Sequence, residues 1–275
     1  VEDFVKWSHD AEAAVAKVPF FVRKRVKQRV EEEAVRCGAS TVTMGHVETC
    51  RNRFLNKMED EVKGYRVEAC FGSSGCPNRA VADDELLQQL ETLAASKRLR
   101  EFLVSRIDGK LKLHHEFQIV LADCPNACSR PQIADIGLIG ACMPAVTDIA
   151  CSRCGACVDA CRESAIALDE AAEHPEIDVT KCLSCGKCCA ACPTGTLARG
   201  AQGYRVQVGG KLGRHPQLGR ELPGIFSRED VLRLTDSAID FYTSETIQGE
   251  RFGEVLNTAG YEKFRNFLKN RGLLI

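Results

Sequence analysis

Leu86, Leu87, Leu90, Leu93, Leu99 and Leu103 recur at helical spacing across residues 84–107, with Gly109 beyond them. The pattern predicts a single amphipathic helix there. On either side the period changes. Residues 65–69 form a short strand candidate running into Cys70, and 117–122 is an apolar strand candidate that delivers Cys124 in a turn. Residues 133–139 are another short, mostly apolar run. Strand, helix and strand in succession predict a layered α/β (α+β) domain. A strand resumes over 204–208, followed by Gly209-Gly210. Ser227, with Glu229 and Asp230 behind it, predicts a capped helix over 227–242. A final helical stretch spans 251–270, interrupted around Gly260.

The first 64 residues have a different texture. Residues 1–16 are rich in Ala and Glu, and 20–36 follow Pro19, which suits a new helix. Thr43 is placed to cap a third helix through Val47, Phe54 and Met58, with Gly64 ending it. Such a unit is too short to bury much core alone. Arg23-Lys24-Arg25, with Lys27 and Arg29, reads as the solvated face of a helix. The predicted division is therefore a helical domain over 1–64, a main domain over 65–145 and 200–275, and an insert over 146–199.

The formal charge of −1 over 275 residues gives no reason to expect a nucleic-acid partner. No apolar run reaches the length of a membrane span. The N-terminus shows no basic segment followed by an apolar one, so no signal peptide is expected.

Sixteen cysteines change the picture. Nine fall between positions 151 and 192, and eight of those form two regular runs. These are Cys151-x2-Cys154-x2-Cys157-x3-Cys161 and Cys182-x2-Cys185-x2-Cys188-x3-Cys192-Pro193. Each resembles half of a bacterial two-cluster ferredoxin, in which the fourth cysteine of each run ligates the other cluster. The pattern assigns one [4Fe–4S] cluster to Cys151, Cys154, Cys157 and Cys192, and another to Cys182, Cys185, Cys188 and Cys161. Gly155 and Gly186 let backbone amides approach the sulfides. Zinc on eight cysteines is the alternative, and it fits this spacing poorly. Thiolate ligands need a reducing compartment, so a cytoplasmic protein of anaerobic metabolism is expected. Such clusters pass single electrons, which implies a redox acceptor in the chain or in a partner.

Cys70-x5-Cys76 and Cys124-Pro125-Asn126-Ala127-Cys128 are two further pairs. On chemistry alone they are either four ligands gathered by the fold or ordinary buried thiols. With Ala134-Asp135-Ile136-Gly137-Leu138-Ile139-Gly140, Gly203-Tyr204-Arg205-Val206 and Gly209-Gly210-Lys211-Leu212-Gly213-Arg214, they resemble the sirohaem-dependent sulfite and nitrite reductases. The likeness is greatest to dissimilatory sulfite reductase subunits, and it covers residues 65–275. It implies a sulfite-reductase-type sirohaem domain with an inserted ferredoxin-like domain. It also implies a third [4Fe–4S] cluster on Cys70, Cys76, Cys124 and Cys128, with Cys128 bridging to sirohaem. Asn126 is expected at the cofactor, and Arg79, Arg130, Lys211 and Arg214 are the candidates for its carboxylates. Each of these cations could equally be an ordinary surface group. Residues 30–54 resemble the small helical domain of a light-independent protochlorophyllide reductase subunit.

The resemblance implies a reductase of sulfite or nitrite, fed by a low-potential donor (a ferredoxin or a reductase subunit). A homodimer, or a heteromer with a related subunit, would supply the missing half of the family core. Two departures qualify it. The basic half-domain of the family is replaced by the helical one, where Arg51 and Arg53 are possible stand-ins. The family's Leu-Pro-Arg-Lys-Phe-Lys stretch reads Leu113-His114-His115-Glu116-Phe117-Gln118 here. His114 or His115 is then a proton donor or a solvated loop residue. Glu116 beside an oxyanion would oppose its binding. The alternative function is thus electron transfer within a larger complex, or reduction of a less charged substrate.

Overall fold

The computed structural model describes residues 6–169 and 173–274; the side chains of 55–60, Met58 among them, also lie outside the described residues. The expected helix over 1–16 is described from residue 6 onward. The chain divides into two compact units, 1–62 and 63–275.

The first unit holds strand β1 (Lys6–Trp7), helices α1 (His9–Ala16) and α2 (Phe20–Arg36), strand β2 (Thr41–Val42) and helix α3 (Met44–Glu61). β1 and β2 pair in parallel, a ladder absent from the expected all-helical unit. Two residues per strand carry too little periodicity to be read from sequence. Ser8 caps α1, its side chain accepting from Ala11 N–H. Thr43 stands before α3, but its hydroxyl meets the His46 imidazole at 3.2 Å. The small core is Ala11, Val30, Ala34 and Val42. Arg23 of the basic stretch bonds the Ala16 and Val18 carbonyls.

The second unit is built on a mixed sheet. Its elements are β3 (Tyr65–Ala69), α4 (Leu86–Ser96), α5 (Leu99–Arg106), β4 (Phe117–Ala122) and β5 (Ile136–Val146). There follow α6 (Ala156–Ala160), β6 (Ile166–Ala167), β7 (Glu176–Ile177), α7 (Lys187–Ala191), β8 (Leu197–Val208) and β9 (Arg220–Glu221). α8 (Arg228–Glu245), α9 (Phe252–Thr258) and α10 (Tyr261–Asn270) complete it. The sheet order is β3-β4-β5-β8-β9. β3, β4 and β5 run parallel, and β8 and β9 return antiparallel.

Register explains the core. Leu121 pairs with Leu138, and Leu138 with Val206, so these side chains share one face. That face packs on Leu86 and Leu90 of α4, Leu234 and Tyr242 of α8, Phe252 of α9 and Phe264 of α10. Val120, Ala122 and Ile139 are buried on the opposite face. The β4–β5 connection crosses there, and a Cβ on Gly137 would lie 2.1 Å from the Pro131 carbonyl oxygen. Only glycine fits beneath that crossing.

The helix expected over 84–107 is two helices. Arg98 adopts the left-handed conformation (φ 51°), which breaks the run and starts α5 afresh. The break lets α5 seat on Gly64, where a Cβ would fall 2.3 Å from Arg100 N. Gly64 is therefore a packing glycine, three residues beyond the end of α3, and not its cap. The strand expected at 204–208 begins at Leu197, and β5 extends to Val146. Together they form a long antiparallel pair that carries residues 147–196 at its tip. Among the described residues, no helix is long and apolar enough to cross a membrane.

Candidate iron–sulfur site

Cys70 and Cys124 stand just past the ends of two parallel strands, β3 and β4. The carboxyl ends of parallel strands are where open α/β sheets present ligand groups. Cys70 N–H donates to the Leu121 carbonyl at 2.9 Å, which aligns the two strand ends. A short turn, Phe71–Ser74, and Gly75 in the left-handed region then bring Cys76 back. Ala127 (φ 51°) curls the second pair, so that its N–H donates to the Cys124 carbonyl. The other three thiols lie around Cys124. Burial pushes the Cys124 thiol up, and Cys70, Cys76 and Cys128 lie close enough to add to that shift. Cys124 is buried, Cys70 and Cys76 are half-buried, and Cys128 is exposed.

Asp123, which no sequence motif singles out, organises this corner. Its N–H donates to Cys70 Sγ at 3.4 Å, and its carbonyl accepts from Ala80 N–H at 2.9 Å. Its carboxylate pairs with Arg79 Nε at 2.8 Å and lies over Gly72, where a Cβ would come within 2.1 Å. Burial is the main effect on this carboxyl and raises its pKa, against the pull of Arg79. Its sequence signal is a charged residue between an apolar strand and a cysteine pair.

The insert is internally repeated. Gly155 (φ 74°) opens α6 and Gly186 (φ 69°) opens α7. Arg153 N–H donates to Cys151 Sγ and Ser184 N–H to Cys182 Sγ, both at 3.4 Å. Ala165 N–H reaches Cys161 Sγ at 3.3 Å and Leu197 N–H reaches Cys192 Sγ at 3.4 Å. Chiefly through the Leu197 N–H, the Cys192 thiol falls to about 7. Burial pushes the Cys188 thiol up to about 12. Burial raises the Cys157 thiol as well, with Cys151 and Cys192 adding to it, so the fourth cysteine of the second run neighbours the first run.

Conversely, Cys161 lines one cavity with Cys182, Cys185 and Cys188. The same cavity is lined by Cys124, Pro125 and Asn126. The insert and the strand-end thiols therefore face a common space. All sixteen cysteines are free. Among the described residues, no three His, Cys, Asp or Glu side chains are gathered closely enough to hold a single metal ion.

The other expected residues divide. Asn126, Arg130 and Arg214 are exposed. Arg79 is committed to Asp84 at 2.6 Å as well as to Asp123. Lys211 is buried and its ammonium is held by Glu254. His114 and His115 precede β4, at the opposite end of that strand from Cys124. Six strand residues put about 20 Å between the two ends. His115 Nδ1 accepts from Lys112 N–H at 3.1 Å, and burial lowers the pKa of both imidazoles. Glu116 is 4 % exposed and accepts from Lys63 N–H at 3.0 Å. Its carboxylate is spent inside the chain, so the expected repulsion of an anion at the cysteine end has no basis within this chain. In the first unit, Arg53 grips Glu33 at 2.8 Å and Arg51 is exposed.

Residues 66–272 match the family model described as the nitrite and sulphite reductase 4Fe-4S domain. Residues 7–51 match that of the proto-chlorophyllide reductase 57 kD subunit. A coenzyme F420-dependent sulfite reductase of Methanocaldococcus jannaschii is 34 % identical over 203 residues, 73 % of this chain and 30 % of that protein. One subunit of the anaerobic sulfite reductase of Salmonella typhimurium is 27 % identical over 223 residues, 76 % of this chain and 61 % of its own length. The chain thus spans less than two thirds of either relative. The crystal structure of dissimilatory sulfite reductase I shares the fold, with a TM-score of 0.50 at 18 % identity over 73 % of this chain and 51 % of that chain. With its model matched across both strand-end cysteine pairs, the insert and the closing helices, the chain belongs to the nitrite and sulphite reductase 4Fe-4S domain family.

Proposed function

We propose that this chain is an iron–sulfur and sirohaem reductase module acting on sulfite or nitrite. Cys151, Cys154, Cys157 and Cys192 hold one [4Fe–4S] cluster, Cys161, Cys182, Cys185 and Cys188 a second, and Cys70, Cys76, Cys124 and Cys128 a third. The donor chemistry fits: twelve free thiols fall in three groups, and backbone N–H donors already point at Cys70, Cys151, Cys161, Cys182 and Cys192. Exposed Cys128 would ligate the sirohaem, and the exposed cations Arg130 and Arg214 would serve its carboxylates. When bound, these groups supply single-electron transfer from the insert toward Cys128 and an iron at which a small oxyanion is reduced.

The observation that carries this reading is the shared cavity, lined by the second insert quartet on one side and Cys124 to Asn126 on the other. Asp123 and Arg79 hold the strand-end turn in place, and Cys124 and Cys188 are the buried members among the thiols that line the space between. A low-potential donor delivers electrons to the insert, and similarity to a relative named as one subunit of a reductase supports work alongside a second copy or a related chain.

One observation favours a second reading, electron relay without substrate turnover. Two of the four cations expected at the sirohaem, Arg79 and Lys211, are already paired with carboxylates of the chain. Steady-state assays with a reduced viologen and sulfite, nitrite or hydroxylamine separate the two. Turnover of sulfite or nitrite by the sirohaem-loaded protein is expected. Full cofactor loading with no turnover of any of them would leave only the relay.

A further inference from the structure

Cys37, Cys50, Cys142 and Cys189 stand outside the three quartets. Cys142 alone among these is fully buried, at 0 % exposure. It lies on β5 where the pairing with β8 shifts register. Its N–H donates to the Ser184 carbonyl at 2.6 Å, and it bridges in parallel to Cys185. Its Sγ sits 2.9 Å from where a Cβ on Gly186 would be, so a side chain there is excluded by contact as well as by φ. Toward the sheet, Cys142 shares one small buried group with Ala80 and Cys124. A single non-ligand thiol thus touches the turn that presents Cys185 and packs in the group that contains Cys124.

Building on the cofactor assignment above, we infer that Cys142 is a positioning residue for electron transfer, the buried contact between the turn that presents Cys185 and the group that contains Cys124. A thiol suits the place. It is small and polarizable, it fills space like an apolar group, and it is only a weak hydrogen-bond donor. Cluster potentials respond to hydrogen bonds at the sulfurs and to solvent exposure. Cys142 is fully buried where the turn of Cys185 meets the group of Cys124, with its thiol against Cys189, and its N–H bond to Ser184 fixes the insert against the sheet.

The test is an anaerobic redox titration of the cofactor-loaded protein, followed by electron paramagnetic resonance, on the parent chain and on Cys142→Ser and Cys142→Ala. Both variants should load iron as the parent does. In Cys142→Ser the hydroxyl is a stronger donor, and the midpoint potentials of the Cys161/Cys182/Cys185/Cys188 and Cys70/Cys76/Cys124/Cys128 clusters should shift upward. The Cys151/Cys154/Cys157/Cys192 cluster should stay where it is. A merely structural role would not move two potentials and spare the third. If the serine variant fails to load, the alanine variant decides by the same comparison, its vacated space admitting water. Unchanged potentials at full iron overturn the inference. So does loss of about four irons from Cys142→Ala, one cluster's worth, because that would make Cys142 a ligand. A parent chain lacking the strand-end cluster would instead defeat the cofactor assignment, while the shift at the insert cluster would still read out Cys142.

Discussion

Asp135, 1 % exposed, accepts a 2.6 Å bond from Arg251 Nη2 and a second, at 2.8 Å, from Gln118 N–H. One carboxylate thereby ties the start of β5 to β4 and to the N-terminus of α9. Removing the guanidinium leaves a buried charge without its partner, which costs about 3–5 kcal/mol. Arg251→Met should lose stability on that scale in urea unfolding followed by circular dichroism. The sign with pH follows from burial, which raises the Asp135 pKa. Without Arg251 the folded state holds this proton more readily than the unfolded one, so the deficit should shrink as the pH is lowered. A deficit that grows on acidification would contradict this.

Glu33 behaves in the opposite sense. Arg53 and Arg36 hold its carboxyl down, from 4.5 to about 2. Its contribution is present above the unfolded value and lost as pH falls through about 2. The chain's single tryptophan, Trp7, lies in the same unit and bonds Glu31, so its fluorescence reports that unit. The melting midpoint read from Trp7 should fall between pH 4.5 and about 2, and Glu33→Gln should flatten that slope. Identical slopes would contradict this role for Glu33.

Glu116 offers a third check. The lysine of the family motif is not what this buried site accommodates. Glu116→Lys would bury an ammonium beside the Lys63 backbone N–H, a donor facing a donor, and should destabilise by about 3–5 kcal/mol. Glu116→Gln should keep an acceptor for Lys63 and cost about 1 kcal/mol. Faster sulfite turnover in a stable Glu116→Lys protein would show that this position faces substrate after all.

Strands β3 and β4 and helix α2 fall where the sequence predicts them, because Cys70, Cys124 and Pro19 mark where each element ends or begins. The insert is legible as a repeat, since its cysteine spacing recurs and Gly155 and Gly186 each open a short helix. The break at Arg98 is not, because leucine spacing continues across it and only the approach to Gly64 requires the bend. Asp123 and Arg79 are hard to weigh for a related reason. A charged residue beside a strand is ordinary in sequence, and its ion pair appears only once Gly72 and Ala80 are folded around it. Motif alignment puts Glu116 near the substrate, but the strand that follows it carries the cysteine end away.

Cys128 is the exposed member of its quartet, and its loss should be selective. Cys128→Ser should abolish the strand-end cluster's signal and its coupling to sirohaem in electron paramagnetic resonance, with both insert clusters intact. A sirohaem signal still coupled to a cluster would mean another residue bridges.

Three cluster-bearing cysteine quartets and one sirohaem are proposed for this chain, and its metal content decides whether it holds them. Anaerobically prepared protein should contain about 12 cluster irons, four per cluster, plus one sirohaem iron with chlorin-type absorbance. Iron near eight per chain with no such absorbance would leave the insert as a ferredoxin module and contradict the rest.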